Sequence, residues 1–583
     1  MAAAAVVVAR WSWLKWPDVI TDFGTELYVA WQLASGRVLY RDVAYLNGPL
    51  SPYVNALWFR LFGVGLRTLV GVNLILLAVV IWLLYRILAQ MSDRVSATVA
   101  CLVFVLLFAF GQYVGIGNYN FVCPYRHEVT HGMLLSLAAI HLLWSRERRG
   151  RRVAAGVGVA AGLIFLGKAE VFVAALAAIV VGLASQTRAE LARERVAVWA
   201  VFTAAFAVPP VLAFALLWAG MPARAALHGT LGTWPVLWSG AFTASPFYRQ
   251  GIGVDDPAHN LAMVLRWTAA YAGVLGPPAL LGLLLRRRGP HRPVIAVVVL
   301  VLVAALLVAN LRWIDWANIA RPLPVVMLAL AVASWWRLRA RGGDDARLGL
   351  RHTMSVFALV LLGKMLLNAR IHHYGFVLAM PATLLLVLAA LCWLPRRIER
   401  AGGYGGITRA TGAAVLAVTI FVHLRVAEHW FAGKSFQVGR GVDAFVADVR
   451  GPIVQDAVDE IARRLGPDAT LAAFPEGTML NYLARRPNPT PFTFVHPPEL
   501  AYLDEDRVLS SLEAHPPDYV ALVHFDSSEH GYRFFGRDYG LRIGDWVSRN
   551  YRGVALAGAP PFQGPSFGIR LMERVDRSAR PVP

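Results

Sequence analysis

The sequence predicts a polytopic α-helical membrane protein of about 12–13 transmembrane helices with a C-terminal extramembrane α/β domain. Three observations carry this reading. Of the 583 residues, 57% are hydrophobic and 16% charged, with a mean hydropathy of +0.52, whereas a soluble domain is about half apolar and about a quarter charged. The excess gathers in runs near the roughly 17–25 residues that cross a ~30 Å hydrocarbon core. The arginines fall in short connections at alternate ends of those runs.

The apolar segments are 68–88, 95–112, 129–144, 153–167, 171–185, 197–218, 262–285, 293–310, 322–336, 352–367, 375–394 and 407–424. Between them lie Arg146, Arg148, Arg149, Arg151 and Arg152, then Arg188, Arg193 and Arg195, then Arg286, Arg287, Arg288 and Arg292. Arg337, Arg339, Arg341, Arg347 and Arg351 follow, and Arg396, Arg397 and Arg400 close the series. Every second loop is basic, so these loops share one side, which the positive-inside rule makes cytoplasmic. The net charge of +20 and pI of 10.3 are thereby explained without nucleic acid as a partner. Residues 17–67, 113–128, 219–261, 311–321, 368–374 and the chain after about 425 then face outwards, and the working surface with them.

Three regions result: 1–67, an N-terminal segment and first external loop with amphipathic helices; 68–424, the transmembrane helices; and 425–583, the external domain. Residues 1–16 are apolar but short, and Arg10 and Lys15 interrupt them. A signal peptide carries its charge ahead of the apolar run, so this stretch reads as a shortened or mis-started first span. Beyond 440 a helix is expected at 454–465, strands at 470–474, 519–525 and 566–572, and a helix at about 504–514, an alternation that suggests a small α/β domain. Cys101, Cys123 and Cys392 are too scattered for a disulfide frame. Richness in Ala, Arg and Gly suggests a bacterial source, and hence the plasma (inner) membrane.

The first external loop holds Asp22 and Glu26, which share one face if a helix begins near Asp22. A carboxylate partly desolvated at the membrane surface can act as general base towards an attacking hydroxyl. A helix N-cap at Asp22 and a solvated first-turn residue at Glu26 account for the same spacing. Gly36 can end that helix, and the Asn47-Gly48-Pro49 turn leads into a second half-buried helix along the membrane surface.

The acidic residue before an amphipathic helix, the segment Gly36-Arg37-Val38-Leu39-Tyr40-Arg41-Asp42 and the segment Asn47-Gly48-Pro49-Leu50-Ser51-Pro52-Tyr53 resemble the first loop of the GT-C glycosyltransferases. The nearest branch is the bacterial one akin to protein O-mannosyltransferases and aminoarabinose transferases. The resemblance covers residues 20–60 well and the general topology to about 424. It implies an inverting transfer of a sugar from a polyprenyl-phosphate donor, with Asp22 as catalytic base and Glu26 as helper. Membrane lipids are the other expected partners, and the acceptor is a glycan, a lipid or a protein.

Further along, Arg126-His127-Glu128-Val129-Thr130-His131 contains His-Glu-x-x-His, a spacing that can place two imidazoles on zinc. An intramembrane metalloprotease needs a third ligand as well, usually an aspartate on a later span, and no later span offers a convincing one. Within the resemblance, Arg126 and His127 contact the donor phosphate and Glu128 helps hold a divalent cation, which some members of the family need and others do not. A packing role for His131, hydrogen-bonded between helices, explains that residue equally well. No cofactor is implied with certainty and no metal ligands are assigned. Lys168 and Glu170 form an ionisable pair in a tight link between spans, which is costly unless matched or functional. Lys168, Arg370 and His373 complete the cations expected at the phosphate, with His372 and Tyr374 beside them. Interfacial anchoring by snorkelling accounts for the same positions. In the external domain, Phe474-Pro475-Glu476-Gly477 and the segment 481–490 read as a polar loop after a strand, suited to acceptor binding or to plain structure. A transporter or flippase of lipid-linked saccharides is the non-enzyme alternative. It needs charges along a path through the bilayer, whereas here they concentrate at one face.

Single-cysteine variants near Arg149 and Arg287 are expected to label from the cytoplasm, and variants near Tyr519 from outside. Labelling of the Tyr519 region from the cytoplasm alone would reverse the orientation and remove the chemistry from the outer face.

Overall fold

The computed structural model describes residues 1–145, 150–188, 190–285, 292–340 and 345–576. All twelve apolar segments form helices, because a chain in hydrocarbon must satisfy its backbone N–H and C=O groups within the segment. Among the described residues, nine helices are long and apolar enough to cross a membrane. The remaining three segments are shorter: Arg94–Val103 continued by a π-helical turn over Phe104–Ala109, His127–Leu143 and Arg151–Phe165. The chain is a multi-pass membrane protein. Residues 1–16 contain a helix over Ala2–Trp11, about 15 Å long at 1.5 Å per residue. Arg146, Arg148, Arg149, Arg286, Arg287, Arg288 and Arg341 of the basic connections lie outside the described residues.

Helix packing in the bundle uses small residues. On Arg151–Phe165, Gly158 and Gly162 lie one turn apart against helix Ala192–Trp218. A Cβ at Gly158 would sit 2.5 Å from the Phe202 carbonyl oxygen, and one at Gly162 would sit 2.4 Å from that of Phe206. The two backbones touch through these glycines, the small-xxx-small contact of membrane helices. Pro209 and Pro210, within the facing helix, are accommodated where a neighbouring helix covers the freed backbone groups.

The C-terminal region begins with an antiparallel ribbon of β1 (Phe436–Val438) and β2 (Phe445–Ala447). A four-stranded sheet follows, built from β3 (Leu471–Phe474), β4 (Tyr519–Val523), β5 (Tyr551–Gly558) and β6 (Gly568–Arg574) in the order β3-β4-β6-β5. β3 and β4 run parallel, and the other pairs are antiparallel. The expected helices appear as Gly451–Arg464 and Glu505–Ala514. The ribbon, β5 and helix Leu541–Asn550 were not anticipated. β5 reads Tyr-Arg-Gly-Val-Ala-Leu-Ala-Gly, where glycine and alanine dilute the strand signal.

Alternation along β3 gives the sheet two buried faces. Ala472 and Phe474 join a core with Phe492, Val508, Val520 and Ile543. Leu471 and Ala473 face the other way, into the core that also holds Phe23, Leu27 and Tyr28 of the first loop. The C-terminal domain is thus packed onto the first loop. The segment expected as a polar loop after β3 contains a buried helix, Thr478–Ala484, because Met479, Leu480 and Tyr482 give it an apolar docking face. Thr25 and Thr478 share a hydrogen bond of 2.9 Å between their hydroxyls. The Asn488 amide donates to the Tyr28 hydroxyl (2.8 Å), and Arg37 donates to the Asn488 carbonyl (2.9 Å).

Gly162→Val is expected to force the two helices apart and destabilise the protein by about 1–3 kcal/mol, the scale of overpacking a filled contact. Thermal unfolding in detergent measures it, and an unchanged melting temperature would show that the helices do not touch there.

Candidate functional site

The loop before helix Phe23–Ala34 is shaped by a carboxylate that sequence reading did not single out. Asp18 is buried, and its Oδ1 accepts from the amides of Ile20 and Thr21, both at 3.0 Å. Its Oδ2 accepts from Arg450 at 2.7 Å. Asn118 accepts from the Asp18 amide at 2.8 Å and donates to the Thr21 carbonyl at 2.7 Å. The chain therefore enters Asp22 on a fixed course, with φ at +59°, in the left-handed region that non-glycine residues rarely occupy. The Asp22 amide donates to Glu476 Oε1 at 2.7 Å, which ties this backbone to the C-terminal domain.

Asp22 stands at the N-cap position, but its side chain makes no capping bond. Its carboxylate has no hydrogen bond or ion pair among the described residues and lines a cleft of about 1560 Å³ of empty space, open mouth included. Burial pushes its pKa up to about 7; Arg126 and Lys168 pull against that, and the Glu476 carboxylate adds to it. An unpaired carboxyl poised near neutrality is what a general base requires.

Glu26, expected to help Asp22, is directed elsewhere. Its Oε2 accepts from the His127 amide (3.1 Å) and lies 2.6 Å from His127 Nδ1, while its Oε1 accepts from Arg126 at 3.2 Å. Burial favours its neutral form, but the bond and charge of His127 and the charge of Arg126 outweigh it and hold the carboxyl below its usual range. It is an ionised anchor and does not line the cleft. His127 is likewise displaced from the role expected of it. It is fully buried, and its Nε2 lies 3.0 Å from the Asn73 side-chain amide nitrogen. Glu26 at Nδ1 and Asn73 at Nε2 occupy both ring nitrogens, which leaves neither for a phosphate. Sequence spacing placed these residues on the right faces, but their partners come from other helices.

Glu128 and His131 of the same segment each have one partner, while Glu128 Oε2 and His131 Nε2 have none. Glu128 Oε1 accepts from the Tyr45 hydroxyl at 2.6 Å, and His131 Nδ1 pairs with the Ser51 hydroxyl at 3.0 Å. Among the described residues, no group of three His, Cys, Asp or Glu side chains converges to hold a metal ion, so His127 and His131 find no third zinc ligand there.

One wall of the cleft is cationic. Arg126 immediately precedes helix His127–Leu143, and its guanidinium lies 5.7 Å from the Phe494 ring. Lys168 precedes helix Ala169–Gln186, donates to the Tyr125 hydroxyl at 2.9 Å and lies 3.8 Å from Glu170. Lys364 pairs with Glu170 at 2.8 Å and sits over the Tyr374 ring at 4.6 Å. Sequence reading missed Lys364, although a lone lysine in the apolar run 352–367 was the available signal. His373 adopts φ +55° and packs its ring 4.0 Å from that of Tyr119. Burial, then the Arg370 charge, holds it well below the ordinary histidine range, so it faces the cleft as a neutral group. Arg370 itself does not line the cleft. The structure thus brings Asp22, Arg126, Lys168 and His373 together, adds Lys364, and sets Glu26, His127 and Arg370 behind the wall.

The first loop reaches this wall through Gly48. A Cβ there would lie 2.2 Å from the Leu166 carbonyl oxygen, and the Gly48 amide donates to the Gly167 carbonyl at 3.0 Å. The conspicuous Asn-Gly-Pro turn is therefore the contact that seats the first loop beside Lys168.

Difference infrared spectroscopy, with Asp22→Asn as reference, is expected to show the Asp22 carboxyl titrating near pH 7, with the midpoint moving down in Glu476→Gln as a neighbouring negative charge is lost. A midpoint near 4 in the native protein would place Asp22 in water.

Residues 47–214 match the family described as dolichyl-phosphate-mannose-protein mannosyltransferase. No curated protein matches the chain. Among solved structures, the Archaeoglobus fulgidus oligosaccharyltransferase complexed with zinc and sulfate is 12% identical, with a TM-score of 0.48 over 90% of this chain and 67% of that one. ArnT from Cupriavidus metallidurans bound to undecaprenyl phosphate is 14% identical, with a TM-score of 0.47 over 100% of this chain and 98% of that one. The matched stretch begins within the first loop and includes Arg126 and Lys168, while Asp22 precedes it. Over residues 47–214 the chain is thus similar to the dolichyl-phosphate-mannose-protein mannosyltransferase family.

Proposed function

We propose that the protein is an inverting glycosyltransferase that moves a sugar from a polyprenyl-phosphate donor to an acceptor hydroxyl on the outer face of the bacterial plasma membrane. The observation that carries this is the meeting, in one cleft, of an unpaired carboxylate, Asp22, with the cations Arg126, Lys168 and Lys364. The acceptor O–H proton passes to the Asp22 carboxylate as the oxygen attacks the anomeric carbon from the face opposite the phosphate. The new C–O bond forms while the bond from that carbon to the phosphate oxygen breaks, and its electron pair leaves on the polyprenyl phosphate. The cations meet the charge that develops there, fixed in place before the reaction and screened from water.

Two features support a phosphate at that wall. Helices His127–Leu143 and Ala169–Gln186 both start at it, and helix N-termini favour anions. Glu26 and His127 act as positioning residues, since they hold Arg126 without facing the cleft. For the lipid tail, an apolar pocket of about 680 Å³ of empty space, open mouth included, lies among the membrane helices, with Leu107, Tyr271, Ile371 and Leu416 in its lining. Ile371 lines that pocket and His373 lines the cleft, so a single short loop borders both. A flippase would need charge along a bilayer-crossing path, and these charges are gathered around one cleft instead.

Asp22→Asn keeps size but removes basicity, so transfer of labelled sugar from a polyprenyl-phosphate donor is expected to fall about 10²–10⁴-fold with the melting temperature retained. Near-native turnover in that folded variant would rule Asp22 out as base. Arg126→Ala and Lys364→Ala are each expected to weaken binding of undecaprenyl phosphate by about 1.5–3 kcal/mol, the range for hydrogen bonds to charged groups. Unaltered binding in both would move the phosphate away from this wall.

A further inference from the structure

Beside the cations, the cleft has a second wall supplied mainly by the C-terminal domain, whose Phe494 ring lies 5.7 Å from the Arg126 guanidinium. His496, Glu499, Glu529 and His530 line it, together with Tyr248 from the connection before helix Pro257–Leu284. His530 is paired with the Ser245 hydroxyl at 3.0 Å. His496 and Glu499 are different. Each is only 9% exposed, yet His496 Nδ1 and Glu499 Oε2 have no hydrogen-bond partner. Buried polar atoms in folded proteins are nearly always paired, and an unpaired one calls for an explanation such as a missing ligand. Here two of them belong to adjacent residues of one cleft wall.

The chemistry of the wall narrows what can complete it. Glu476, Glu499 and Glu529 place carboxylates along it, and Asp22 adds a fourth at its edge. A phosphate or carboxylate would be repelled here, where the cationic wall attracts one. Hydrogen-bond donors are wanted by Glu499, and His496 offers a further polar atom. Between these groups stand the rings of Phe247, Phe494 and Phe525, with Phe525 4.5 Å from the His496 ring. A pyranose has hydroxyls around its rim and an apolar C–H face, so it suits polar anchors interleaved with aromatic faces. Glu476 joins the two functions: one oxygen accepts from the Asp22 amide at 2.7 Å, and the other lies 3.1 Å from His496 Nε2.

We propose that His496 and Glu499 form the acceptor subsite and take the neutral sugar end of a glycan, holding its hydroxyls so that one of them faces Asp22. The proposal rests on the assignment of Asp22 as base and names the acceptor class for the same cleft. Peptides and anionic acceptors become outcomes of its test.

The test uses the full-length protein in detergent, with two separate binding measurements. Saturation-transfer NMR reports binding of neutral methyl glycosides of the gluco, manno and galacto series, of the corresponding 6-phosphates, and of a serine- and threonine-containing peptide. Undecaprenyl phosphate binding is measured alongside. A neutral glycoside is expected to bind, its 6-phosphate to bind about tenfold more weakly or not at all, and Glu499→Gln and His496→Gln, which keeps an N–H for Glu476, each to lose about tenfold for the glycoside. Undecaprenyl phosphate should bind both variants as it binds the native protein, which also shows that they are folded. Glycosides that do not bind, that bind the variants equally, or that are surpassed by the peptide or the 6-phosphates would overturn the acceptor assignment. Failure of undecaprenyl phosphate to bind the native protein would instead count against the donor wall, whatever the sugars do.

Discussion

Glu476, 454 residues along the chain from Asp22, lies almost fully buried with one carboxylate oxygen on the Asp22 amide and the other on His496. A buried carboxylate is costly unless its oxygens are hydrogen-bonded, and bonds to charged groups contribute about 1.5–3 kcal/mol each. Removing either partner would strand the charge, so the first loop, the C-terminal domain and this carboxylate hold one another in register. The left-handed backbone at Asp22 persists because Asp18, Asn118 and Glu476 over-determine it. The carboxyl group that emerges from that backbone is left free for chemistry.

The bilayer imposes the complementary constraint. Charges near hydrocarbon must be matched, and each cation of the cleft has a carboxylate partner: Arg126 has Glu26, which does not line the cleft, and Lys168 and Lys364 share Glu170, which does. Asp22 is the exception, for no cation pairs with it directly, and burial therefore brings its pKa up to about 7. One cleft thus holds a neutralised basic wall and a carboxyl able to exchange a proton.

Much of the fold was legible because the hydrocarbon core is a strict filter. All twelve apolar runs became helices, with ends displaced by a few residues. Asp22 was legible from its place before an amphipathic helix, and Arg126, Lys168 and His373 from their positions at helix ends. That Glu26 and His127 do not line the cleft was not legible, because residue spacing reports which face a side chain shares and not what approaches that face. Their partners are Asn73, Arg126 and each other. Asp18, Lys364, His496 and Glu499 were missed because they become meaningful only when distant segments meet. The polar-looking residues after β3 concealed a docking helix for the same reason, since Met479 and Tyr482 are buried against a loop at the other end of the chain.

The most direct test of the central claim, that base and phosphate-binding cations line one cleft, is an experimental structure of the Asp22→Asn protein with undecaprenyl phosphate. Phosphate density is expected among Arg126, Lys168 and Lys364, with the prenyl chain running past Ile371 into the apolar pocket and residue 22 lining the same cleft. Phosphate bound against Glu499 and His496, or a metal ion held between His127 and His131, would contradict it.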